Sequence, residues 1–168
     1  GFLGRLFPPA PPLPNRPDPL AGFGYAGPLR GAVAGLYLLA RNPVAWIATG
    51  ALWALGRLVT DNTLMGVFAS LLSFGALIGA GWLGWQRPWL FGLMASLVGM
   101  LMFAGLGTTL LAGRPDVDFT PAQLFVGLLY RESFQPIFGA LAGWYGGYLR
   151  RRMAATTAAA RSPSRRRR

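Results

Sequence analysis

The apolar residues of this chain fall into runs longer than a half-buried strand or a one-sided helix would need. Positions 63–85 and 88–111 carry no Asp, Glu, Lys or Arg, and only Gln86 and Arg87 separate them. At about 1.5 Å per residue, each run can cross a hydrocarbon core of about 30 Å. So short a connection makes the pair a hairpin of antiparallel neighbours. Pro88 suits the first turn of the second run, and Asp61–Asn62 is the expected cap of the first.

Two further segments are apolar but broken by proline. Positions 29–41 are helical in composition, too short to span, and bounded by Arg30 and Arg41. They predict a helix at the membrane surface. Asn42-Pro43 ends it and a first span follows over 44–59. A single kinked helix through both would place Arg41 at mid-depth, at a cost of about 2.5–3.5 kcal/mol. Near the other end, Thr120-Pro121 marks a helix start. Arg131-Glu132 and Pro136 then interrupt the apolar pattern before a last span over 134–149. Residues 121–133 are either interfacial or the first part of that span. The expected fold is an all-α integral membrane protein: a four-helix transmembrane bundle with short interfacial helices before the first and last spans. A Pro-rich tail (1–28) precedes it and a basic tail (153–168) follows. The run at 8–19 is extended by its prolines and stands where the apolar core of a cleavable leader would, so none is expected.

Charge gives the bundle an orientation. All sixteen basic residues are Arg, and thirteen lie before the first span, at the 86–87 turn or after the last span. Arg57, Arg114 and Arg131 are the other three. Basic loops resist translocation, which predicts both termini in the cytoplasm. Trp46, Trp82, Trp85, Trp89, Trp144 and Tyr148 fall near the same ends, as an interfacial aromatic belt does. Arg without Lys, among abundant Ala and Gly, suits a GC-rich genome and a prokaryotic inner (plasma) membrane. The net charge of +11 would suggest nucleic acid in a soluble protein. Here Arg150, Arg151, Arg152 and Arg165, Arg166, Arg167, Arg168 are expected to bind anionic lipid headgroups at the membrane surface, with nucleic acid not expected as a partner.

Composition leaves catalysis little to use. The chain has no His and no Cys, which removes imidazole relays, thiolate chemistry and the usual zinc and iron–sulfur ligand sets. Asp116 and Asp118 form a D-x-D pair beside Arg114, the pattern of a solvated loop. No cofactor and no metal are expected, and the chain is not expected to be an enzyme. Arg131 and Glu132 are the most functional-looking charges, as an intramembrane charge pair or, preferred here, as an exposed pair at headgroup level worth about 0–1 kcal/mol.

Glycine spacing carries the remaining signal. Gly139, Gly143 and Gly147 recur every fourth residue, as do Gly75 and Gly79, and Gly27, Gly31 and Gly35. That spacing puts bare backbone on one helix face, serving either internal packing or an oligomer interface. Gly143 should therefore matter more than Gly146, which lies off the line. The function expected is that of a small non-enzymatic membrane protein: an accessory subunit or oligomerising scaffold of a larger membrane complex, in a homo- or hetero-oligomer. The alternative is a small transporter or channel with Arg131 and Glu132 in its pathway.

Overall fold

A computed structural model describes residues 29–59, 64–84 and 86–160. The expectations for the tail at 1–28, Gly27, the Asp61–Asn62 cap, Trp85 and the arginines of 161–168 lie outside the described residues. Those residues form six helices: α1 (Leu29–Arg41), α2 (Val44–Leu58), α3 (Leu64–Leu83), α4 (Pro88–Leu111), α5 (Pro121–Arg131) and α6 (Gln135–Ala160). No strand occurs among the described residues. Two helices, α3 and α4, are long and apolar enough to cross a membrane.

The helix ends follow local chemistry. Asn42-Pro43 separates α1 from α2, and the Trp46 indole N–H reaches back to the Leu39 carbonyl (3.0 Å), a C-terminal acceptor of α1 that also receives the Asn42 N–H (3.3 Å). Pro88 opens α4, where its missing N–H is no loss. After α4, Gly113 takes φ +81°, a left-handed turn that a side chain would strain. Thr120 caps α5 reciprocally: its hydroxyl accepts from the Gln123 N–H while its own N–H donates to Gln123 Oε1. The break between α5 and α6 follows from Pro136, which has no N–H to give the Glu132 carbonyl. That carbonyl accepts from the Gln135 N–H instead (2.9 Å). α6 then continues to Ala160, well past the expected end at 149, through an Ala-rich segment of high helix propensity.

α2, α3, α4 and α6 run alternately up and down. α3 and α4 each pack extensively on both α2 and α6 but less on each other. The hairpin helices are neighbours as expected, but each packs more closely on α2 and α6 than on the other, and α6 lies in the groove between them. Glycine permits this. A Cβ on Gly81 of α3 would fall on the Gly143 backbone, and one on Gly92 of α4 would fall on the Gly139 carbonyl. On the other side, α2 meets α4 where Gly50 faces Ala95 and Gly99, and meets α3 where Gly56 faces Ala69 and Ser73.

The interior is built mainly of small residues around a few large ones. Ala45, Ala54, Ala76, Ala80, Ala95 and Ala142 are buried beside Trp53, Leu77 and Phe91. Trp53 lies against Gly99 and meets Phe103 edge to face (centroids 6.2 Å apart, planes at 74°). Apart from Leu77 and the half-buried Ile78, most large apolar side chains of α3 point the other way. Leu64, Met65, Val67, Phe68, Leu71, Leu72 and Phe74 are all exposed, while Gly66, Ala69, Ser73, Ala76 and Ala80 are inside.

Candidate functional site

Glu132 is the buried ionisable group of the described chain, with a side-chain exposure of 3%. It sits at the corner where α5 ends and α6 begins, positioned by the Pro136 break. Its Oε1 accepts a hydrogen bond from Nη2 of Arg57, in the last turn of α2, at 2.5 Å. The Arg131 Nε is 3.7 Å from the same oxygen, but that side chain is 61% exposed. Sequence adjacency pairs Glu132 with Arg131 at an exposed level. The structure keeps that pair in reach at 3.7 Å, adds a closer partner in Arg57, 75 residues away, and corrects the exposure: the carboxylate is shielded. Arg57 reaches the carboxylate from a facing helix, a partner that adjacency in the chain does not reveal.

Arg57 is held in turn by aromatic surface. Its guanidinium carbon is 6.0 Å from the centroid of Trp53, within cation–π reach. The side chain is 34% exposed, and its Nε is buried without a hydrogen-bond partner among the described residues. The pair therefore ties the α5–α6 corner to the end of α2 and leaves one donor of Arg57 unused. α5 has no buried residue of its own. It rests on α4, where Leu128 lies over Gly107, so the Glu132 contact is its second attachment. Asp116 and Asp118 are exposed on the α4–α5 loop.

The opposite end is fastened by donors aimed at helix carbonyls. Arg150 Nη1 donates to the carbonyls of Trp82 (2.7 Å) and Gly84 (3.2 Å). Asn42 Nδ2 donates to Leu83 O (3.1 Å), and Arg87 Nη1 to Gly31 O (2.5 Å). Of these donors, Arg150 is the cation that meets the negative end of the α3 dipole. Arg150, expected among the lipid-binding arginines, is thus turned inward, while Arg151 and Arg152 are exposed.

The glycine series divide sharply. Gly139 faces Gly92 and Ser96, Gly143 faces Pro88 and Gly92, and Gly147 faces the Pro88 ring, so this series packs inside the chain. Gly146, expected off the interface, is equally confined: its Cβ would fall on the Ile78 carbonyl of α3. One face of α6 meets α4 and the adjoining face meets α3, which a single four-residue period does not reveal. Gly75 and Gly79 have open space where a Cβ would stand, as does Gly31, while Gly35 lies near Leu90. Single-sequence spacing missed Gly50, Gly56, Gly81, Gly92 and Gly99. Their only signal is the wider pattern of small residues facing each other on separate helices.

No protein-family model, curated protein or solved structure matches the chain.

Proposed function

We propose that this chain is a four-span membrane protein, both termini cytoplasmic, that acts as a non-enzymatic scaffold or accessory subunit by oligomerising through α3. The observation that carries the proposal is the outward position of Gly75 and Gly79. The small residues that α3 needs for its own bundle are Gly66, Ala69, Ser73, Ala76, Ala80 and Gly81, all buried. Gly75 and Gly79 are left over, one turn apart, on the face that also exposes Phe68, Leu71, Leu72 and Leu83. In lipid, where apolar exposure gives no drive to associate, a bare backbone stripe flanked by large side chains supplies the close packing that holds helices together. Small residues inside and large apolar residues outside also favour lipid over water as the solvent.

The transporter alternative draws on the Arg57–Glu132 pair, since a charge at membrane depth commonly marks a pathway. The described interior does not extend it into a polar track. Ser73 donates to the Trp53 carbonyl, Ser96 to Leu93 O and Thr49 to Ala45 O, so these hydroxyls serve the backbone.

Counting subunits of the fluorescently labelled protein at high dilution in bilayers tests the proposal. Wild type is expected as dimers or larger and the Gly75→Leu/Gly79→Leu variant as monomers, with the melting temperature in detergent not lowered because both sites open outward. Wild type that is monomeric at every density removes the scaffold function.

A further inference from the structure

The outward face of α6 changes character along its axis in an ordered way. Ile137, Phe138 and Leu141 are exposed and apolar, Trp144 and Tyr145 are exposed and aromatic, and Arg151 and Arg152 are exposed and cationic. Residues 144, 148, 151 and 152 share one face by helical spacing. The rise from Leu141 to Arg152 is about 16 Å at 1.5 Å per residue. The aromatic band is ordered: Trp144 and Tyr145 stack against Tyr148 at 6.1 and 6.3 Å, with planes 19° and 22° apart. Arg152 lies over the Tyr148 ring at 5.7 Å. The neighbouring Arg150 is fixed to the end of α3, so this stretch of α6 is anchored to the bundle at the level where its charges begin.

We propose that this face binds one class of ligand, an anionic phospholipid, with the acyl chains along Ile137, Phe138 and Leu141, the interfacial region against Trp144, Tyr145 and Tyr148, and the phosphate at Arg151 and Arg152. The inference rests on the membrane placement proposed above. Charge complementarity selects the occupant. α6 contains no acid, and the acids of the described chain, Asp116, Asp118 and Glu132, lie at the opposite end of the bundle. A second copy docking here would bring like charges together. A phospholipid instead offers apolar, interfacial and anionic groups in the same order and over a similar length. An ammonium of a zwitterionic headgroup is the wrong sign for Arg151 and Arg152, so the lipid should be net negative.

The full chain is purified in a neutral maltoside detergent and its melting temperature measured with added phosphatidylglycerol, phosphatidylcholine of the same acyl chains, or inorganic phosphate. Phosphatidylglycerol is expected to raise the melting temperature by several degrees, and the other two are not. Arg151→Gln/Arg152→Gln should lose that increment while melting like wild type without lipid. Neutralising Arg165, Arg166, Arg167 and Arg168 instead should keep it. Equal stabilisation by both lipids, an increment reproduced by inorganic phosphate, or an increment that follows the terminal arginines overturns the proposal. Alkaline carbonate washing of expressing membranes separates the two levels of failure. A chain released into the supernatant refutes the membrane placement itself. A chain retained in the pellet, with an increment indifferent to Arg151 and Arg152, refutes only the lipid site.

Discussion

Glu132 at the α5–α6 corner accepts a hydrogen bond from Arg57 at the end of α2, while the adjacent Arg131 remains largely in the surroundings. Removing the carboxylate should expose this asymmetry. Glu132→Gln leaves Arg57 without its counter-charge, and an unpaired charged group in a shielded site costs about 1–3 kcal/mol. The value stays below the roughly 3–5 kcal/mol of a fully buried pair because Arg57 retains some exposure. Arg57→Gln should destabilise comparably and Arg131→Gln by at most about 1 kcal/mol. Detergent denaturation of the singles and the Arg57→Gln/Glu132→Gln double variant measures the coupling. Coupling of Glu132 to Arg131 that is as large as its coupling to Arg57 would contradict this geometry.

Gly146→Leu is expected to be as damaging as Gly143→Leu, since each drives a side chain into the backbone of a neighbouring helix. Overpacking of this kind costs about 1–3 kcal/mol or more, because the obstacle cannot change rotamer. Gly75→Ala meets open space and should stabilise the helix slightly, by about 0.5–1 kcal/mol from reduced backbone freedom in the unfolded chain. Melting curves of the three variants side by side decide the ordering.

Trp53→Ala empties the volume between α2 and α4 that Gly99 and Phe103 border. A loss of about 3–5 kcal/mol is expected for so large a cavity. Near-ultraviolet circular dichroism should lose part of its aromatic signal in the same variant, and retention of both stability and signal would place Trp53 outside the core.

Arg150→Gln removes two charge-assisted hydrogen bonds to the end of α3, each worth about 1.5–3 kcal/mol at most. The expected effect is local: faster amide exchange at Leu83 and Gly84, with exchange in mid-bundle at Ala95 unchanged. Uniform acceleration would mean that Arg150 supports the whole bundle.

Much of the architecture was legible because helix boundaries in this chain are set locally. Pro43, Pro88, Thr120-Pro121 and Pro136 each act on the backbone within a turn, so their positions foretell where α1, α4, α5 and α6 begin or end. The candidate site was legible only in part. Glu132 stands out as a lone acid in apolar sequence, but its partner depends on which helix faces it, and Arg57 is remote in the chain. The glycines failed for the same reason. Four-residue spacing reports one face of one helix, whereas Gly146 and Gly81 acquire their importance from a second helix arriving on the adjoining face. Gly75 and Gly79 have the same spacing as Gly139 and Gly143 and the opposite environment.

The seating of α6 in the groove between α3 and α4 has a consequence for how the protein is made. Ribosomes deliver the chain from its N-terminus, so α3 and α4 are complete while the element that packs into the groove between them is still being synthesised. Until Gly139, Gly143 and Gly146 arrive, the slot bordered by Ile78, Gly81 and Gly92 is vacant. The nascent hairpin must either wait open or close on itself and reopen. The last long helix is thus the keystone, and a product that terminates before it presents an unfilled cleft by which quality-control proteases can recognise it.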